Sequence, residues 1–138
     1  YIKDSTGDIV RIQELLRTGG TVFNGCDPIT FQSLLAGCPG CVWGAVNAIP
    51  REAVELFNLV TTGKLAEANA LWQRILPPQL LLWIHPYNPA VKAASQMMGH
   101  DIGQCRLPQQ PLTDSEASAL VSSLAPLLSV DVNRKNVA

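Results

Sequence analysis

Apolar residues recur with two different rhythms along this chain, and the rhythm changes once, near Pro50. Up to that point short apolar runs alternate with stretches of helical spacing. Residues 1–4 read as a short strand with β-branched and aromatic content. Thr6-Gly7-Asp8 breaks that strand and can cap a helix whose apolar positions Ile9, Ile12, Leu15 and Leu16 share one face. Gly19-Gly20 ends the helix, and residues 21–24 form a second strand. Asp27-Pro28 predicts a helix start, because Asp can cap free N–H groups and Pro fits the first turn. Phe31, Leu34 and Leu35 supply that helix's buried stripe until Gly37 stops it. Residues 41–46 make a continuous apolar run, read as a third strand of a sheet covered on both faces. Strand starts near 1, 21 and 41 imply right-handed βα units and a parallel sheet.

Beyond Pro50 only helices are expected. Val54, Phe57 and Val60 line one, which Gly63 closes. Leu65, Ala68, Leu71, Trp72 and Ile75 line the next, up to Pro77-Pro78, with 80–84 as a buried extension. Asn88-Pro89 opens another that runs to about Met98 and closes at Gly99. A proline-punctuated segment, 104–112, crosses to the last helix, where Thr113 and Glu116 form a capping box ahead of Ala117, Leu120, Val121 and Leu124. The polar tail from Asp131 is expected to fray. The pattern therefore divides the chain into three βα units over residues 1–62 and a helical extension over 63–138.

Composition narrows the classes without choosing among them. The 138 residues are 47% hydrophobic and 15% charged with a net charge of −1, an ordinary globular balance. Interspersed acids and bases give no surface for nucleic acid or anionic membranes. The run at 80–84 is too short to span a bilayer. No signal-peptide pattern opens the chain, and a first residue other than Met fits a chain whose own N-terminus lies upstream. Cys26, Cys38, Cys41 and Cys105 are expected to be free thiols of a cytoplasmic protein. The Cys38-Pro39-Gly40-Cys41 stretch precedes an apolar run, so it lacks the helix N-terminus that stabilises a redox thiolate, and no second ligand pair accompanies it for zinc. It reads as a structural turn.

Five motifs in order resemble the dihydrodipicolinate synthase and N-acetylneuraminate lyase family of class I aldolases. Tyr1-Ile2-Lys3-Asp4-Ser5-Thr6-Gly7-Asp8 is similar to the segment around that family's Schiff-base lysine. Asn24-Gly25-Cys26-Asp27 resembles its turn after the seventh barrel strand, and Gly40-Cys41-Val42 through Asn47 its eighth strand and exit. Asn88-Pro89-Ala90-Val91-Lys92 resembles its NPxxVK helix start, and Arg106-Leu107-Pro108 with Pro111-Leu112-Thr113 its crossing into the last helix. The resemblance covers residues 1–128. It implies the C-terminal part, strands six to eight, of a (β/α)₈ TIM barrel with a C-terminal helical bundle. A whole barrel takes about 250 residues, so the N-terminal half of the barrel would be a partner from outside this chain. Three parallel strands alone would leave an open edge.

The resemblance makes Lys3 the catalytic residue. In a barrel strand Tyr1, Lys3 and Ser5 share the inward face, and Lys3 stands at the C-terminal end where barrels place their chemistry. A dry, apolar setting would favour the neutral amine. That amine attacks a ketone, and the iminium it forms draws electrons from the adjacent carbon. Val42 is implied to hold the ketoacid, partly through its backbone, while also being a buried strand valine. Gly25 is either the glycine that lets the distal part of the substrate approach or a turn residue with positive φ. Asp27 matches a position that contacts polyhydroxylated substrates, or else caps the helix before Pro28. Asn47 would hold the loop after the last strand, and His85 and His100 receive no role. Pro28 and Gly44 depart from the sialic-acid lyases, and Trp43 is bulkier than usual for the synthases. The tyrosine relay, the threonine pair and the arginine that decide substrate would lie in the absent half. The implied activity is a lyase, an aldolase or synthase acting on pyruvate or another 2-oxo acid, without metal or organic cofactor, and a homotetramer or other homo-oligomer. A 2-keto-3-deoxy sugar-acid aldolase or dehydratase and a non-catalytic barrel homologue remain as alternatives.

Overall fold

The computed structural model describes residues 1–135. It forms two compact units, the first made of Tyr1–Gly44 with Arg51–Trp72, the second of Ala45–Pro50 with the chain from Gln73 onward.

In the first unit, strand β1 (Ile2–Asp4) pairs in parallel with β2 (Val22–Asn24), in register Ile2 to Val22, Lys3 to Phe23 and Asp4 to Asn24. Helix α1 (Ile9–Arg17) connects them. Asp8 caps it as expected, its carboxylate accepting from Val10 N at 2.9 Å and Arg11 N at 3.2 Å. Ile12 of α1, Val22 and Cys38 form a buried cluster flanked by Ile9, Leu15, Leu16 and Ile29. This crossover fixes the sheet from one side. A single turn of 3₁₀ helix, Asp27–Ile29, leads into the short helix α2 (Thr30–Leu35). Cys26, not Asp27, occupies the cap position, and no side chain caps that end. Asp27 is instead fully buried in the first turn, so the capping role assigned to it is corrected.

The third expected strand is reduced to one residue. Cys41 bridges Asn24 in parallel, with Val42 N donating to Asn24 O at 2.7 Å, and Gly44–Asn47 then coils into a 3₁₀ turn. An apolar run of that length does not distinguish a strand from a buried turn. Here the pairing stops after Cys41 and the backbone coils from Gly44 onward.

Helices follow Pro50 as the spacing predicts: α3 (Pro50–Thr61), α4 (Leu65–Ile84), α5 (Tyr87–Met97) and α6 (Asp114–Lys135). Gly63 takes φ +76° to end α3, a conformation other residues rarely adopt. Two boundaries differ from expectation. Helix α4 runs through Pro77-Pro78 without a break. The two prolines remove two backbone donors, but Trp72 and Ile75 before them and Gln79 and Leu82 after them are all buried, so side-chain burial on both sides holds one axis. Helix α6 continues past Asp131 to Lys135, where fraying was expected, while residues 136–138 lie outside the described residues. In the second unit α5 packs on α6, with Ala90, Ala94, Leu120 and Leu124 buried. Residues 104–112 carry no helix or strand. No helix among the described residues is long and apolar enough to cross a membrane.

Candidate active site

Alternation along the sheet decides which side chains meet. Lys3 pairs with Phe23 and Asp4 with Asn24, and side chains of paired residues share a face. The bridge from Asn24 to Cys41 puts Cys41 on the face of Asp4, so Val42 falls on the face of Lys3, Phe23 and Gly25. The three residues singled out as Lys3, Gly25 and Val42 therefore lie on one side of the same small sheet. Tyr1 stacks on Phe23 there, ring centroids 6.5 Å apart. The face is open: Lys3 is exposed and Val42 is 55% exposed. The dry surroundings and the buried valine expected from the sequence are thus not supplied by this chain itself.

Gly25 is the point of closest approach. Its φ is not positive, which corrects the turn-residue reading. The need for glycine is steric instead. A Cβ built there would run into Ser5 Oγ and Lys3 Cε, with Lys3 Cγ at 3.1 Å. The lysine stem lies across bare backbone, and Gly25 N donates to Asp4 O at 2.7 Å to keep that backbone against β1.

The opposite face holds the support. Asp4 is buried, and its carboxylate accepts from Thr6 N at 2.9 Å, Thr6 Oγ1 and Arg11 Nε at 2.8 Å. Burial pushes its pKa up, but the Thr6 hydroxyl and amide and the Arg11 guanidinium outweigh it and hold the carboxyl below its ordinary value. Asn24, with no exposed surface, uses both ends of its amide. Its Nδ2 donates to Cys26 O at 2.8 Å and Thr30 Oγ1 at 3.3 Å, and its Oδ1 accepts from Cys26 N at 3.0 Å. The Gly25 turn is therefore clamped from below. Neither Asp4 nor Asn24 was singled out from the sequence; the signal available was that each is the last residue of its strand, on the face away from Lys3.

The cysteines carry no matching chemistry. Burial raises the thiol pKa of Cys26, Cys38 and Cys41, that of Cys41 to about 12, so these sulfurs stay protonated at neutral pH and serve as small packing groups. Asp27 is buried in the 3₁₀ turn that follows Gly25. Asn47 is exposed in the second unit. His85, between α4 and α5, sits 3.2 Å from Glu116 in the first turn of α6.

The site thus places a lysine at the end of a parallel β-strand, over a glycine floor with an open face beside it. The model of the dihydrodipicolinate synthetase family matches residues 1–126, and the chain belongs to that family. It is 31% identical over 135 residues to 4-hydroxy-tetrahydrodipicolinate synthase 1 of Halalkalibacterium halodurans, covering 96% of this chain and 46% of that protein. A dihydrodipicolinate synthetase structure from Pseudomonas aeruginosa superposes with TM-score 0.81 at 32% identity, over 89% of this chain and 43% of that one. A variant of the 2-keto-3-deoxygluconate aldolase of Sulfolobus solfataricus shares the fold, with TM-score 0.81 at 23% identity over 96% of this chain and 46% of its own. The chain thus spans under half the length of the relatives it matches, and its α/β architecture corresponds to part of their barrel, in the C-terminal half as the motifs implied.

Proposed function

We propose that the full-length protein carrying this chain is a Schiff-base lyase in which Lys3 joins covalently to pyruvate or another 2-oxo acid. The strands β1 and β2 and the bridge at Cys41 then stand for strands six, seven and eight of the barrel. The observation that supports this best is the common face of Lys3, Gly25 and Val42, with the lysine stem laid across Gly25.

Nζ of Lys3, as the free amine, adds to the C2 carbonyl of the oxo acid. Loss of water leaves a protonated imine, and loss of a proton from C3 gives the enamine. The enamine carbon adds to an aldehyde in the synthetic direction; cleavage of an aldol runs the same steps backward. Val42 and Gly25 line the acid, and Asp27, in the 3₁₀ turn that follows Gly25, is the further substrate residue that the family resemblance implies. The groups that shuttle the protons and grip the carboxylate come from outside this chain. No metal or organic cofactor enters these steps. We place the protein in the cytoplasm as a homo-oligomer, on the strength of the family resemblance.

The test is reductive trapping. The full-length protein is incubated with pyruvate and borohydride, digested, and its peptides weighed. The peptide containing Lys3 should gain the mass of pyruvate less one water plus two hydrogens. If that peptide stays unmodified while an established synthase is labelled in parallel, Lys3 is not the nucleophile.

A further inference from the structure

Two motif cations, Lys92 and Arg106, have no use in the chemistry at Lys3. In the second compact unit both reach the wall of one hollow of ≈ 420 Å³, between α5 and the segment that follows it. Asn47, Asn88, Gln104 and Gln109 are among the other lining residues, and no Asp or Glu is among the described residues that line it. The Lys92 amine donates to Ile102 O at 2.8 Å, which engages one of its three N–H groups. The Arg106 guanidinium is exposed and makes no hydrogen bond or ion pair among the described residues. Packing explains one cation in part and the other not at all.

We propose that this hollow binds a small dicarboxylate. Its volume falls in the range of small-molecule sites, roughly 300–1,000 Å³. Arg106 offers a planar fork that matches a carboxylate with two parallel hydrogen bonds, and Lys92 offers a point charge for a second. The amides of Asn88, Gln104 and Gln109 can serve the remaining oxygens, and Val91 borders the space a short carbon chain would take. Two like charges sharing one hollow without a lining acid also repel each other, and a doubly negative ligand removes that repulsion. The hollow shares no residue with Lys3, Gly25 and Val42, so the inference stands whether or not the trapping experiment succeeds.

The test is calorimetric titration of the full-length protein with succinate, without pyruvate and again with pyruvate at saturation. Saturable binding is expected, weakened about tenfold or more by Arg106→Met and by Lys92→Met. The neutral diamide, succinamide, should bind at least about tenfold more weakly than succinate. Because Lys92→Met also removes the tie to Ile102, Arg106→Lys serves as the milder variant; it should keep the fold and lose the forked contact, with affinity between that of the wild type and Arg106→Met. Absence of succinate binding at millimolar concentration overturns the proposal. So does binding that pyruvate displaces, or that Arg106→Met leaves unchanged. Inorganic phosphate binding through Arg106 without succinate binding would assign the hollow to phosphate and overturn the dicarboxylate.

Discussion

At Gly25 a hydrogen stands where any other residue would place a carbon against Lys3 and Ser5. The expected result of Gly25→Ala is displacement of the lysine stem. A shift of an ångström at a reacting group costs about a hundredfold in rate, so the rate of borohydride trapping should fall by about that factor in the full-length protein. Overpacking at a part-buried site costs about 1–3 kcal/mol, visible as a modest drop in the thermal midpoint. Loss of folding without a separate loss of trapping rate would contradict the steric reading. Asp4 yields a prediction of a different kind. Its folded pKa lies below the ordinary 3.8, so its contribution is complete above that value and is lost as pH falls through the lowered folded pKa. Asp4→Asn should cost about 1–3 kcal/mol near pH 7, because Arg11 and Thr6 lose a charged acceptor. In denaturant unfolding the gap between variant and wild type should narrow near pH 3. A gap independent of pH would mean that the carboxylate charge is not what stabilises the strand end.

Elements were legible where local chemistry alone decides them. Asp8 caps α1 and Thr113 starts α6 because a short polar side chain next to free N–H groups finds a partner within its own segment. At α6 the exchange is reciprocal: Glu116 accepts from Thr113 N at 2.7 Å, and Thr113 Oγ1 accepts from Glu116 N at 3.4 Å. Thr113→Ala should therefore cost about 0.5–2 kcal/mol and speed amide exchange in the first turn of α6. The Glu116 pKa is held low by the Thr113 amide and hydroxyl, against a small rise from burial, with help from His85. In Thr113→Ala that pKa should move back toward the ordinary carboxylate value, measurable by NMR titration. Where distant packing decides, the sequence misled. Pro77-Pro78 looks like a stop, yet buried Ile75 and Leu82 on either side keep α4 whole. The apolar run after Gly40 looks like a strand, yet only Cys41 is paired.

On the scale of the molecule, the βα order, the parallel pairing and the place of Lys3 could be read from spacing and motifs. The missing enclosure could not, since a periodic pattern says which face is apolar but not what covers it. Tyr1, Lys3 and Val42 all face solvent here, and the chain spans 43–46% of the relatives described above. The 138-residue chain by itself should accordingly show no trapping with pyruvate under conditions where the full-length protein is labelled; equal labelling of both would show that these strands suffice. Asn24 bears on the cost of that reaction. Its two-ended amide settles the path of residues 24–26 while the protein folds. Under the proposed reaction, the entropy of ordering the lysine's support is thus surrendered before a keto acid arrives, leaving substrate affinity undiminished by it.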